Sequence, residues 1–326
     1  SIKSFKMLYP FKFEPIIKDK IWGGQKLQQL LNKPTSSYEA GESWELSDVE
    51  GDTSVVSNGA MAGTSLKSLM ELHTTDLLGH KNFKQFGTKF PLLIKFIDAK
   101  ADLSVQLHPN DALAKERHNS FGKTEMWYVV QADYDSNLIV GFNQPMTKEL
   151  YLKHLEAKTL KSILNFDKVD AGDTYFIEVG RIHAIGAGVL LAEIQQTSDI
   201  TYRVYDWDRV DSQGNHRELH NDIALEAFNF NMPDNFRINY SRDSQKTKEL
   251  VTCPYFTTNI IQLKTPLLID NNHDSFMIYM CIEGSAIINA MGNQTEFCKG
   301  ETVLIPACIK SFSISTNHAK LLEVYI

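Results

Sequence analysis

Gly172-Asp-Thr-Tyr-Phe-Ile-Glu-Val179 and Gly300-Glu-Thr-Val-Leu-Ile-Pro-Ala307 follow one pattern: glycine, acid, threonine, then an apolar strand. A second matching pair lies upstream, Met126-Trp-Tyr-Val-Val-Gln-Ala-Asp133 and Met277-Ile-Tyr-Met-Cys-Ile-Glu-Gly284, each a strand leading to a turn. Self-similarity of this kind points to one supersecondary unit used twice. Most of the chain reads as short strands between turn residues, at 53–57, 91–98, 125–131, 137–142, 173–178, 189–195 and 200–206. Many short strands at even spacing predict sandwiches or barrels. Apolar residues at helical spacing are confined to 25–31, 65–72, 148–164 and 219–228. The expectation is a mainly β protein: the same β-barrel unit used twice, with a few short helices. The polar segment 232–244 (MPDNFRINYSRDS) is the candidate boundary. It separates a first unit, residues 1–240, from a C-terminal unit, residues 241–326.

Composition limits the function. The 326 residues suit about two domains. A formal net charge of −7 argues against nucleic-acid binding, which needs a basic face. An anionic substrate must then be held by a few local Lys or Arg residues. No apolar run approaches the roughly 20 residues that span a bilayer. The N-terminal SIKSFKMLYPFKFEP interrupts its apolar residues with lysines, unlike a signal-peptide core. Cys253, Cys281, Cys298 and Cys308 contain no Cys-x-x-Cys and sit among strand-like neighbours, as small core residues do. A cytoplasmic protein without a disulfide framework or thiolate zinc site is expected.

The repeat is most informative where it fails. Counted along the two copies, Glu125 aligns with Phe276 and His183 with Ser311. A carboxylate and an imidazole in the first copy face a phenyl ring and a hydroxyl in the second. That pattern predicts a chemical site in the first unit and a metal-free, structural second unit.

The stretch Ser104-Val-Gln-Leu-His-Pro-Asn-Asp111 adds two more candidates. Side chains alternate along a strand, so Gln106 and His108 share the face opposite Val105 and Leu107. Taken alone, this is also how a half-exposed strand reads. Together Gln106, His108, Glu125 and His183 form a set of one amide oxygen, two imidazoles and one carboxylate. Zinc fits such a set, and iron, manganese or cobalt could also bind. Lys95, Lys123, Glu193 and Arg203 are charges within or beside apolar strands. Burying a charge costs several kcal/mol unless it is paired or near a metal, so they suggest a charged interior.

With these residues in view, the chain resembles the type I phosphomannose isomerases, zinc enzymes of the cupin superfamily. The resemblance rests on SVQLHPND, GKTEMWYVV, GRIHAIGAG and AEIQQTSDITYRVYDWDR. It extends back to Ile21-Trp-Gly-Gly24, Gly41-Glu-Ser-Trp-Glu-Leu-Ser47 and Phe90-Pro-Leu-Leu-Ile-Lys95. It implies two cupin-type, jelly-roll β-barrels, the first metal-binding and the second degenerate. It also implies one zinc per chain on Gln106, His108, Glu125 and His183, with Arg203 as the active-site arginine. The short interruption around 148–164 and the run TYRVYDWDR look like a short bacterial subgroup, which leaves the phosphate contacts open.

The implied reaction interconverts mannose 6-phosphate and fructose 6-phosphate by proton transfer between C2 and C1 through a cis-enediol. Charge stabilisation falls to zinc and Arg203. The base is Lys123 or Glu193: a lysine beside a cation is pushed toward its neutral form, and a desolvated glutamate toward proton affinity at neutral pH. Lys95, Arg181 and Arg209 are the candidate substrate contacts at the phosphate. Two other readings share the barrel. A metal-dependent cupin dioxygenase would carry a redox metal, and a non-catalytic sugar-binding cupin would not need Lys123, Glu193 and Arg203 together. Oligomeric state is not legible.

Overall fold

The computed structural model describes residues 7–242 and 247–326. The first six residues of the N-terminal stretch and the last two of the 232–244 segment lie outside the described residues. The protein is mainly β, of the cupin type, with three large sheets. A five-stranded sheet holds Leu164–Lys168, Asn137–Phe142, His183–Ile185, Val105–Leu107 and Tyr202–Tyr205, in that order. A six-stranded sheet holds Thr174–Ile177, Glu125–Ala132, Val189–Gln196, Leu92–Ala99, Ala40–Leu46 and Ile16–Gly24. An eight-stranded sheet carries the C-terminal strands and the short N-terminal strand Phe11–Lys12.

Strand alternation sorts the apolar residues into separate cores. Val140 and Ile185 of the five-stranded sheet meet Trp127, Val129 and Leu191 of the six-stranded one, so these two sheets enclose a common interior. The outer face of the five-stranded sheet, with Leu107, Ile139 and Val204, packs under the helix Lys148–Glu156 through Tyr151. The other face of the six-stranded sheet, with Ile94, Phe96, Met126 and Ala192, packs on Ile278, Met280, Leu304 and Val324 of the C-terminal sheet. The C-terminal strands surround a further core around Tyr279, Phe297 and Phe312.

Several elements depart from the sequence-based expectation. The helix expected over 148–164 stops at Glu156, and a 3-10 turn follows at Leu160–Ile163. Lys158 takes a left-handed φ of 57°, reversing the chain so that Leu164 pairs with Phe142. Of 53–57, only Thr53 lies in a strand, Asp52–Thr53, while Val55 and Val56 make isolated bridges. The helix Asp111–His118, capped by the Asn110 side chain, is absent from the sequence reading. All four cysteines are free, and Cys298 and Cys308 are exposed rather than in the core.

Pairing also corrects the repeat by one residue. Thr174 stands opposite Tyr128, and its counterpart Thr302 stands opposite Met280. Trp127 therefore matches Tyr279, and Glu125 matches Met277 rather than Phe276. The slip matters because one residue exchanges the two faces of a strand. Phe276 belongs to the core between the sheets, whereas Met277 faces into the C-terminal unit. Ser311 is exposed while Phe312 is buried. On either count, neither a carboxylate nor an imidazole stands in place of the Glu125 and His183 pair.

The same register yields a match that sequence comparison missed. Glu193 stands opposite Trp127 and Lys95, and Glu323 stands opposite Tyr279 and Asn259. Trp127 Nε1 donates to Glu193 Oε1 at 2.9 Å, and the Tyr279 hydroxyl donates to Glu323 Oε2 at 2.7 Å. Asn259 Nδ2 donates to the other Glu323 oxygen at 3.0 Å. Both units thus keep a buried carboxylate braced by an aromatic donor. Glu323→Ala strips buried donors of their acceptor, so it should cost about 2–3 kcal/mol of stability. Kinetics of the folded variant should be unchanged. Denaturant melts paired with turnover check this, and a kcat loss at constant fold would make the second unit catalytic.

Candidate metal centre

Cross-strand register builds one side of the site. His183 stands opposite Gln106, and Gln106 opposite Arg203. Directly opposed residues present their side chains on one face, here the interior shared with the six-stranded sheet. His108 follows the strand Val105–Leu107, and Glu125 opens the strand facing it. Gly180 shapes the turn before His183. Its φ is +78°, and a Cβ there would lie 2.3 Å from the Ala227 carbonyl oxygen.

His108, Glu125 and His183 offer ligand atoms that all lie within 4.8 Å of one another. Glu125 Oε1 is 3.2 Å from His183 Nε2, and Glu125 Oε2 is 3.8 Å from His108 Nε2. All three residues are almost wholly buried, at 1–2 % exposure. His108 Nε2, His183 Nε2 and Glu125 Oε2 have no hydrogen-bond partner. Each Nδ1 lies against a backbone carbonyl: His108 at 2.9 Å from Ile200 O, His183 at 2.8 Å from Arg181 O. A carbonyl can only accept, so each Nδ1 carries the proton and each Nε2 turns its lone pair inward. Metal-bound histidines use the same outer bond. Burial, and then the Lys123 charge, push the His108 imidazole well below its ordinary value, which leaves it neutral. Burial alone would raise the Glu125 carboxyl; the two imidazoles and Lys123 outweigh it and hold it well below the usual range. Two imidazole nitrogens and a carboxylate oxygen converging without hydrogen-bond partners fit a divalent cation. Gln106 lines the same cavity, and its carbonyl oxygen accepts the Ser104 hydroxyl at 2.9 Å.

The charged interior expected from the sequence is present, and its pairing is now visible. Lys95 lines the cavity, but its ammonium lies 3.3 Å from Glu42 and 3.7 Å from Glu193, over the Trp44 ring. Burial would raise the Glu42 carboxyl, yet Lys95, Lys20 and the Trp44 N–H bring it down to about 2. Burial, then the Glu125 charge, raise Glu193 to about 8. A cation on Glu125 would relieve part of that push. Lys123 is buried beside these groups. Among the described residues, no hydrogen bond or ion pair engages its ammonium. Glu42 and Trp127 were missed in the sequence. The alternation Glu42-Ser-Trp44 was the available signal.

The arginines divide. Arg181, a candidate phosphate contact, donates its guanidinium to the carbonyls of Asn229 and Asn231 and packs on Phe236. Those bonds tie the turn before His183 to the 229–231 segment and leave the group away from the cavity. Arg203 Nη1 donates to Glu218 O at 2.9 Å, and its Nε is unpartnered. Arg209 donates to Asp206 at 2.7 Å, while Arg217, unmarked in the sequence, binds the same carboxylate through Nε and Nη2 at 2.9 and 2.7 Å. Burial, then the Arg217 charge, lower the Arg203 pKa. Two guanidiniums thus share one carboxylate beside Arg203, with cationic charge in excess.

Comparison with known proteins resolves the family. A model of the type I phosphomannose isomerase catalytic domain matches residues 10–133, and a model of the mannose-6-phosphate isomerase cupin domain matches 246–326. The mannose-6-phosphate isomerase ManA of Bacillus subtilis is 34% identical over 94% of this chain and 95% of its own. The chain belongs to the type I phosphomannose isomerases. It is therefore an isomerase. The mannose-6-phosphate isomerase of Streptococcus mutans is also 34% identical, over 94% of this chain and 95% of its own. The crystal structure of the mannose 6-phosphate isomerase from Bacillus subtilis superposes with a TM-score of 0.87 at 32% identity, covering 98% of this chain and all of that one. A structure from Archaeoglobus fulgidus, at 22% identity and a TM-score of 0.77, shares the fold. Among the described residues, no helix is long and apolar enough to cross a membrane.

Proposed function

We propose that this phosphomannose isomerase interconverts mannose 6-phosphate and fructose 6-phosphate through a cis-enediol, with one zinc ion held by Gln106, His108, Glu125 and His183 in the unit 1–240. The C-terminal unit 241–326 binds no metal. The observation that carries this reading is the convergence of three unpartnered lone-pair atoms in a buried, charge-lined cavity of this family. Bound zinc would polarise the sugar oxygens as negative charge develops.

The residues divide the remaining work. Lys123, in its neutral amine form, takes the C2 proton of the open aldose and returns it at C1, as the C1 oxygen gains a proton and the C2 hydroxyl loses one to become the ketone. It is favoured over Glu193 because, among the described residues, no hydrogen bond or ion pair ties down its ammonium, whereas Glu193 is braced by Trp127 and by Lys95. The matching brace on Glu323 in the metal-free unit also supports a scaffold role for Glu193. Arg203 stabilises the enediolate, and the Arg209–Asp206–Arg217 group is the best-suited receptor for the phosphate. The ammonium of Lys95 is already neutralised by Glu42, which argues against phosphate contact.

A coupled assay of mannose 6-phosphate turnover, before and after chelation, tests the function. Inactivity with zinc restored would overturn it. Lys123→Met should lower kcat by about 10²–10⁴, the usual worth of a positioned base, with zinc retained. Glu193→Gln, which keeps an acceptor for Trp127, should lose less. The reverse order would transfer the role of base to Glu193.

A further inference from the structure

We infer that Asp111 is a positioning residue whose single carboxylate locks the two ligand-bearing segments of the site together, and that Tyr255 extends this lock into the C-terminal unit. Asp111 lies three residues beyond His108, at the start of the helix Asp111–His118. Its Oδ1 accepts Gly122 N at 2.8 Å and Gln196 Nε2 at 3.0 Å. Gln196 is itself clamped to Thr124: Thr124 N donates to Gln196 Oε1 at 2.9 Å, and Gln196 N donates to Thr124 O at 3.1 Å. Thr124 sits between Lys123 and Glu125. Asp111 therefore fixes Gly122-Lys123-Thr124-Glu125 from both ends against the segment that carries His108.

Two further observations show that the contact is built closely. A Cβ on Gly122 would lie 2.9 Å from Asp111 N and 3.0 Å from Asp111 Oδ1, so no larger residue fits there. The second carboxylate oxygen accepts the Tyr255 hydroxyl at 2.8 Å, across a sequence separation of 144 residues. Tyr255 packs on the core between the six-stranded and C-terminal sheets. The metal-free unit thus reaches the active site through one hydroxyl. Displacing a catalytic group by about 1 Å can cost 10²-fold, so this brace has leverage on both Glu125 and Lys123.

The inference rests on the proposed metal site and is tested on the full-length protein with zinc alone and with substrate. Zinc affinity comes from chelator competition, kcat and KM from turnover at saturating zinc, and fold from melting. Asp111→Ala should weaken zinc about 10–100-fold, as losses of outer partners do, and should lower kcat more than KM changes. Asp111→Asn should recover most of both. Its oxygen still accepts from Gly122 and Gln196, and its amide can donate to the Tyr255 oxygen. Tyr255→Phe, the milder change, should show a smaller loss in the same direction. Variants that melt early yet bind zinc and turn over as wild type would overturn the inference, as would an Asn variant no better than Ala. If the unmutated protein binds zinc but does not isomerise mannose 6-phosphate, the proposed function fails while the zinc readout still judges the brace.

Discussion

His108→Ala and His183→Ala are each expected to leave a folded protein that holds no stoichiometric zinc and has no measurable turnover. Each imidazole turns toward Glu125 an Nε2 that has no hydrogen-bond partner among the described residues, and each is oriented by its own carbonyl. Loss of a direct donor should exceed the 10–100-fold that outer partners typically command. The fold should survive because it rests on separate apolar cores, none of which depends on the two imidazoles. Metal content after dialysis, melting and turnover on one preparation check this. Stoichiometric zinc in both variants would show that the ligands lie elsewhere. So would a double variant that keeps zinc, since the C-terminal unit is expected to offer no alternative site.

Arg203→Ala is expected to lower kcat by about 10²–10³, roughly 3–4 kcal/mol of transition-state stabilisation, with zinc content near wild type. The guanidinium presents several donors in a fixed fork and stays charged throughout the reaction. Its Cα stands opposite Gln106, in the same cross-strand row as His183, so its side chain leaves the sheet on the cavity side. An Nε–H without a partner remains for an oxyanion. If Arg203 grips only the phosphate, in ground and transition states alike, KM rises and kcat holds. A purely structural role predicts early melting instead. That outcome is disfavoured because Asp206 is satisfied by Arg209 and Arg217 without help from Arg203. A folded, zinc-loaded variant with unchanged kcat would remove Arg203 from the reaction.

The sequence by itself determined the class of fold and the chemical inventory of the site. Short apolar runs between turn residues marked strands such as Glu125–Ala132 and Val189–Gln196 nearly to their ends, because a strand covered on both faces is apolar at successive positions. Period-two alternation put Gln106 and His108 on one face, and the quoted motifs named the family. The tertiary structure decided which groups meet. Arg181 and Arg203 look alike in the sequence, but one is consumed by backbone carbonyls and the other stands in the row of proposed ligands. Lys95 reads as a free cation until Glu42 arrives from another strand. The off-by-one in the repeat arose because residue types were matched without strand partners, and only the ladder says which face a residue takes. Glu323 beneath Tyr279 and Tyr255 against Asp111 have no local signature, since each bond joins residues far apart in sequence. Periodicity encodes a face; pairing across the sheets encodes the partner, and the chemistry of this site lies in the partners.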